Sequence, residues 1–129
     1  MAVILIIEDN VSNMTLAKFL LETAGHTVLC AVDAEEGLKL ASGKLPALIL
    51  MDIQLPGMDG LQATSVLKAG ATTKHIPVIA LTALAMNGDE ERIRAAGCDG
   101  YIGKPLRYQA FLASITSYLA KTPRRSAAE

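Results

Sequence analysis

Short apolar runs recur along the chain at intervals of about 20 to 30 residues. They are AVILII (2–7), HTVLCAV (26–32), ALILM (47–51), PVIAL (77–81) and GYIG (100–103). Most are apolar at consecutive positions, whereas a strand with one solvent-facing side alternates apolar and polar residues. Continuous runs of this length are typical of strands covered on both faces, as in a parallel sheet. We therefore predict five buried strands.

The segments between the runs have the periodicity of amphipathic helices. In the first of them, one helical face carries Met14, Ala17, Leu21 and Ala24. The last helix is predicted to begin near Leu106 and to stop before Pro123, because proline cannot continue a helix. Its buried residues are predicted to be Leu112, Ile115 and Leu119. Helices thus follow the strands throughout the chain.

Polar residues and glycines mark the predicted helix ends. Three pairs have the spacing of a capping box, in which two side chains each bond the other residue's backbone N–H. These pairs are Asp33 with Glu36, Asp59 with Gln62, and Asn87 with Glu90. Gly25 and Gly97 follow helical runs and suit the left-handed backbone that ends many helices.

This alternation of strands and helices predicts an α/β fold with right-handed crossovers. At this length we expect a flavodoxin-like, doubly wound sheet of five parallel strands in the order 2-1-3-4-5, with five helices. We predict one domain over residues 1–121 and a polar tail over residues 122–129, with no internal linker and no second domain. Ligands of such sheets bind beyond the carboxyl ends of the strands, at the switch point of the topology between strands 1 and 3.

Composition narrows the classes of protein. The 129 residues are 51% hydrophobic with a net charge of -1, which gives no support to a nucleic-acid or membrane-surface role. No apolar run is long enough to span a bilayer. Cys30 and Cys98 lack metal-site spacing and are predicted to be reduced thiols, and His26 and His75 are predicted not to be ligands. We expect a cytoplasmic protein.

The carboxyl ends of the predicted strands carry the candidate chemistry. Three carboxylates, one hydroxyl and one ammonium converge there: Glu8, Asp9, Asp52, Thr82 and Lys104. Three adjacent carboxylates resist ionising together unless a cation compensates them. Mg²⁺ is favoured, since it accepts a few carboxylates and keeps several waters. Asp33, after the second strand, is instead interpreted as a helix cap.

Such a group of side chains points to phosphoryl chemistry. A metal ion, a lysine and a hydroxyl can together hold the oxygens of a transferring phosphoryl group. A carboxylate can be the nucleophile and form an aspartyl phosphate. Asp52 is the best candidate because it ends the central strand, between the acidic pair and Thr82.

The motifs LIIEDN, LILMDIQLPGMDG, PVIALTA and YIGKP resemble those of response-regulator receiver domains of two-component signalling, with the CheY-like form of this fold. The resemblance covers about residues 2–121, and AMNGDEERIRAAGCDGYIGKP is similar to single-domain cell-division regulators of that family. It implies that Asp52 accepts a phosphoryl group from a phosphohistidine. Mg²⁺ would be held by Glu8, Asp9, Asp52 and the backbone carbonyl of Gln54.

The resemblance also implies a conformational switch. Lys104 would pair with Asp52 and be oriented by a cis peptide bond to Pro105. The Thr82 hydroxyl would follow the phosphoryl oxygen, and the Tyr101 ring would then turn inward. The expected output surface lies on helix 4, strand 5 and helix 5, with the candidate residues Met86, Arg92, Ile93, Tyr101, Arg107 and Phe111.

The implied partners are a sensor histidine kinase or a histidine phosphotransfer protein, together with a downstream protein target. No DNA-binding module is seen in the sequence, so we expect any transcriptional effect to act through a partner. The protein is expected to catalyse only its own phosphorylation and dephosphorylation.

Three alternatives remain at this point. A phosphatase of the haloacid-dehalogenase type would need a second acid two residues after its nucleophile, where this chain has Gln54. A flavodoxin-like electron carrier would need a phosphate-binding loop after strand 1, where this chain has the acidic EDNVSN. The third alternative is a receiver domain excised from a hybrid histidine kinase or a multidomain regulator.

Overall fold

The computed structural model describes residues 2–83 and 87–121, except for the side chains of residues 87–89 and 121. The strands are β1 (Val3–Ile7), β2 (Thr27–Ala31), β3 (Leu48–Asp52), β4 (Val78–Thr82) and β5 (Gly100–Gly103). The helices are α1 (Val11–Thr23), α2 (Ala34–Lys44), α3 (Gly60–Ala69), α4 (Asn87–Ala95) and α5 (Tyr108–Lys121). The predicted tail, 122–129, lies outside the described residues. Each strand thus matches its predicted apolar run to within one residue at either end.

All the strand pairings are parallel, and the order is β2-β1-β3-β4-β5. The predicted flavodoxin-like fold, with its doubly wound sheet, is confirmed. The register places Ile7 opposite Met51, and Asp52 opposite Leu81. The carboxyl ends of β1, β3 and β4 therefore lie side by side at one edge of the sheet.

Both faces of the sheet are covered. Successive residues of β1 point to opposite faces, so that Leu5 and Ile7 pack in one buried cluster and Ile4 and Ile6 in the other. The first cluster includes residues of α2, α3 and α4, and the second includes residues of α1 and α5. Every residue of β3 and β4 is buried. This double burial explains the absence of alternation in the sequence.

The starts of α2 and α3 follow the predicted caps with one difference, whereas the side chain of Asn87, predicted to cap α4, lies outside the described residues. Asp59 and Gln62 form the complete reciprocal box at α3, with bonds of 2.8 and 3.0 Å. At α2, Asp33 accepts the Glu36 N–H, but the Glu36 carboxylate accepts from Val32 N–H. The capping box predicted at α2 is therefore wrong in one of its two bonds. The Glu36 carboxylate bonds the N–H of Val32, one residue before Asp33, whose N–H the box requires.

Other helix ends can also be compared with their predictions. Helix α5 begins two residues later than the predicted start, because the Arg107 carbonyl accepts its first bond, from Phe111 N–H at 2.7 Å. Gly25 and Gly97 have φ of +94° and +106°, as their predicted role in ending helices requires.

None of the helices within the described residues is long and apolar enough to cross a bilayer.

Candidate functional site

Four strands deliver side chains to one end of the sheet. Glu8 follows β1, Asp52 and Thr82 are the last residues of β3 and β4, and Lys104 follows β5. The strand ladder extends into the site, because Glu8 N–H donates to the Ala31 carbonyl at 3.0 Å and Lys104 N–H donates to the Thr82 carbonyl at 2.8 Å. The backbone of each neighbouring strand therefore fixes the position of these side chains.

Three carboxylates meet at this end. Glu8, Asp9 and Asp52 each offer one oxygen within 4.8 Å of the others. Glu8 and Asp52 are buried and Asp9 is exposed, so the group opens to solvent on the side of Asp9. The predicted convergence of these three residues is therefore what the geometry shows.

Lys104 supplies positive charge to the two buried carboxylates. Its Nζ lies 3.1 Å from Glu8 Oε1 and 3.4 Å from Asp52 Oδ2, and its side chain is 17% exposed. The Lys104–Pro105 peptide bond is cis, as the resemblance implies. The sequence led us to expect Lys104 to pair with Asp52, whereas the structure places it between Asp52 and Glu8.

Glu8 is the most unusual titratable group of the site. Burial, and secondly the adjacent Asp52 carboxylate, raises the pKa of Glu8 to about 7, although Lys104 acts in the opposite direction. Glu8 Oε2 accepts the Asn10 N–H at 3.2 Å. Within the described part of the chain, Glu8 Oε1 is buried with its ion pair to Lys104 but without a hydrogen bond of good geometry.

This donor set fits a hard divalent cation. The three carboxylates supply oxygen ligands, one buried oxygen keeps unused bonding capacity, and Asp9 leaves the group open to water. These are the properties that Mg²⁺ needs, since it prefers oxygen ligands and retains bound waters.

Asp52 is held in place from both sides. Its Oδ1 accepts the Gln54 N–H at 3.1 Å, and its Oδ2 faces Lys104. Gly60, the first residue of α3, lies so close that a Cβ there would overlap the Asp52 carbonyl oxygen. A cavity of about 210 Å³, lined in part by Gln54 and Thr82, lies between the β3–α3 loop and α4. The Asp52 carboxylate is therefore held in a fixed orientation, and Gln54, which donates to it, lines this cavity.

The predicted output surface needs correction. Ile93 and Phe111 are each only 1% exposed and pack in the two clusters of the core, so neither can be a docking residue in this conformation. Arg92 and Arg107 are exposed, and Tyr101 is half-buried against the cluster that contains Ile93. Met86, also predicted there, lies outside the described residues.

Sequence reasoning missed two features of this region. It did not predict that Glu8 is almost fully buried, because two acidic residues in a row after a strand are typical of a solvent-exposed segment. It also missed Tyr118, whose hydroxyl donates to the Tyr101 carbonyl at 3.4 Å. No local signal marks that contact, because it joins residues 17 positions apart.

Comparison with known proteins decides the family. Residues 4–116 match the family described as "Response regulator receiver domain". The chain belongs to this family. Receiver domains are signalling domains of two-component systems, so the class predicted from the motifs is confirmed, and neither the dehalogenase-type phosphatase nor the electron carrier agrees with this match.

Among its relatives, this receiver domain is similar to the polar-differentiation response regulator DivK of Brucella anthropi. The two are 49% identical over 116 residues, which are 90% of this chain and 94% of that protein. DivK of Brucella ovis has the same identity and coverage. The predicted similarity to single-domain regulators is therefore confirmed.

Solved structures show the same fold. The receiver domain of a sensor histidine kinase from Pseudomonas aeruginosa, with a magnesium ion coordinated in its active-site cleft, has a TM-score of 0.87 and 32% identity, covering 93% of this chain and 98% of that one. The chemotaxis protein CheY4 of Vibrio cholerae has a TM-score of 0.86 and 25% identity, covering 91% and 98%. The resemblance thus extends over nearly the whole of each chain.

Proposed function

We propose that this receiver domain accepts a phosphoryl group on Asp52. The observation that carries the proposal is the convergence of Glu8, Asp9 and Asp52 at one end of the sheet, with Lys104 in contact with two of them. A carboxylate that ends a rigid, fully buried central strand is a well-positioned nucleophile.

In the proposed reaction, one oxygen of the Asp52 carboxylate attacks the phosphorus of a phosphohistidine. An O–P bond forms as the P–N bond breaks. The electron pair of the P–N bond stays on the imidazole nitrogen, which takes up a proton. The Gln54 N–H orients Asp52 by its bond to Oδ1. The Lys104 ammonium, now shared between Glu8 and Asp52, is placed to attract the phosphoryl oxygens.

Glu8, Asp9, Asp52 and the Gln54 backbone carbonyl would hold Mg²⁺ at this site. Charge neutralisation at the phosphoryl oxygens is the chemistry that such an ion supplies when bound. The buried oxygen of Glu8 without a hydrogen bond supports this assignment, because an ion or its bound water would use it.

The proposed output is a change of conformation at Thr82 and Tyr101. Thr82 ends β4 beside Asp52, and its hydroxyl would bond a phosphoryl oxygen. Tyr101 is half-buried, so its ring can exchange between a more exposed and a more buried orientation. Phosphorylation would then stabilise one of two existing conformations.

The proposed partners are a sensor histidine kinase or a histidine phosphotransfer protein upstream, and a protein target downstream. Arg92, Tyr101 and Arg107 remain as candidate contact residues for the target, and we propose that the protein acts in the cytoplasm without binding DNA directly. DivK, at 49% identity, is itself named a response regulator, which supports a regulatory output.

Intact mass spectrometry tests the chemistry. The full chain is incubated with acetyl phosphate, with Mg²⁺ or with a chelator. We expect one added phosphoryl group, dependent on Mg²⁺ and absent in Asp52→Asn. Asp59→Asn is the matched control, since Asp59 belongs to the same loop but caps α3. It should be phosphorylated as the wild type is.

Two results would overturn the proposal. One is an equal mass increase in Asp52→Asn, which would place the acceptor elsewhere. The other is the absence of a stable adduct together with continuous release of phosphate by the wild type, which would indicate a phosphatase.

A further inference from the structure

Tyr118 of α5 lies over the start of β5, the outermost strand next to β4. Its hydroxyl donates to the backbone carbonyl of Tyr101 at 3.4 Å. Its ring packs against Gly100 so closely that a Cβ on Gly100 would overlap the ring. One tyrosine thus contacts two consecutive residues of a strand that is four residues long.

The strand held in this way connects two parts of the candidate site. Tyr101 lies opposite Ala80 of β4, and its ring packs with the cluster that contains Ile93. Tyr118 packs with the other cluster, so the two rings lie on opposite faces of the sheet. At the far end of the strand, Lys104 N–H bonds the Thr82 carbonyl at 2.8 Å.

We propose that Tyr118 is a positioning residue for Tyr101. Its hydroxyl holds the backbone of Tyr101 from the outer side while β4 holds the strand from the inner side. The Cα–Cβ direction of Tyr101 is then fixed, and the ring can exchange only between defined orientations. Gly100 is part of this arrangement, because it leaves the space that the Tyr118 ring occupies.

A fixed Tyr101 backbone should make the proposed switch respond more strongly to phosphorylation. A ring on a fixed backbone has few accessible orientations, so a small change at Thr82 can redistribute them. Without the hydroxyl, the edge strand gains freedom and the Tyr101 ring samples more orientations. The inference rests on the proposed function only in treating Tyr101 as the switch residue.

The test compares Tyr118→Phe with the wild type by NMR of ring-labelled tyrosine. The chain has three tyrosines, so the Tyr101 signals can be assigned by substitution. In the unphosphorylated protein, Tyr118→Phe should shift or broaden the Tyr101 ring signals. It should also speed amide hydrogen exchange in β5 by about fivefold, the factor expected for one lost hydrogen bond. Tyr108→Phe, at an exposed position of the same helix, should change neither.

A second variant tests the same contact from the side of the strand. Gly100→Ala keeps the Tyr118 hydroxyl but displaces its ring, and it should alter the Tyr101 signals in the same way. Unchanged Tyr101 signals and unchanged β5 exchange in folded Tyr118→Phe would overturn the inference. That result does not depend on phosphorylation. A failure of the proposed function would appear in a different experiment, as a wild-type protein that gains no mass on incubation with acetyl phosphate and Mg²⁺.

Discussion

The Lys104 ammonium lies closer to Glu8 than to Asp52, at 3.1 Å from Glu8 Oε1 and 3.4 Å from Asp52 Oδ2. Two buried carboxylates therefore share one cation. Neither of them is neutralised by a partner of its own, and the pKa of Glu8, raised by burial and by Asp52, reflects this imbalance.

Lys104→Met should destabilise the metal-free protein. Two buried carboxylates would lose their cation, and breaking a buried pair by removing one partner costs about 3 kcal/mol. Urea unfolding in the presence of a chelator measures the free energy of unfolding. Lys39→Met is the matched control, because Lys39 is exposed on α2, and it should change that free energy by less than about 0.5 kcal/mol. Equal effects of the two substitutions would contradict the prediction.

Glu8→Gln should act in the opposite direction on the metal-free protein. It removes one of two adjacent buried negative charges, and we expect a gain of about 1 kcal/mol in the free energy of unfolding. The same variant should gain less stability from added Mg²⁺ than the wild type, because a ligand group is lost. Thermal unfolding with and without Mg²⁺ measures both effects. A Glu8→Gln variant that is less stable than the wild type in chelator would refute this account of the site.

Gly60→Ala should disturb the loop that carries Gln54. An added Cβ would overlap the Asp52 carbonyl and lie 2.8 Å from Ile53 Cα, and backbone cannot move aside as a side chain can. We expect a loss of about 1–3 kcal/mol in the free energy of unfolding and slower phosphorylation. Gly43→Ala, where a Cβ meets nothing within 4 Å, should instead stabilise α2 by about 0.5–1 kcal/mol. Similar stabilities for both variants would count against this reading of Gly60.

Acid should weaken the start of β1 through His26. Its Nδ1 accepts the Ala2 N–H at 3.1 Å, which requires an unprotonated nitrogen. Burial, and secondly the charged amino terminus, lowers the pKa of His26 below 6.5. The folded state thus binds this proton less readily than the unfolded state, so the contribution is present above pH 6.5 and is lost as the pH falls below it.

Protonation of His26 should lower the free energy of unfolding by about 1 kcal/mol, the net contribution of one hydrogen bond. Urea unfolding between pH 5 and 8 should show a smaller pH dependence below about 6.5 in His26→Gln than in the wild type. His75→Gln, at an exposed position before β4, should keep the wild-type profile. An unchanged profile in His26→Gln would show that the proton is bound elsewhere.

Much of the fold could be predicted because its signals are local. The run ALILM is apolar at every position since β3 is buried on both faces. Asp59 and Gln62 form the predicted box because both bonds lie within one helical turn. The bond of the Glu36 side chain was not predicted, because its carboxylate accepts the N–H of Val32 and not that of the capping residue Asp33.

Ile93 and Phe111 show where local signals end. An apolar residue on a helix can belong to the core or to a docking surface, and the sequence alone does not distinguish them. Ile93 is on the buried face of α4 and Phe111 is on the buried face of α5, and each packs in a different core cluster. Packing of distant segments decides such cases, because burial depends on which helix covers which face.

The sequence by itself determined the order of the elements, the strand order, and the arrival of Glu8, Asp52, Thr82 and Lys104 at one edge of the sheet. Periodicity and the rules of parallel sheets suffice for that. Only the tertiary structure decided how these groups share charge: Lys104 lies between two carboxylates, and Glu8 is buried with one oxygen lacking a hydrogen bond. Differences of a few tenths of an ångström and the degree of desolvation set these interactions, and both arise from the packing of segments far apart in the chain.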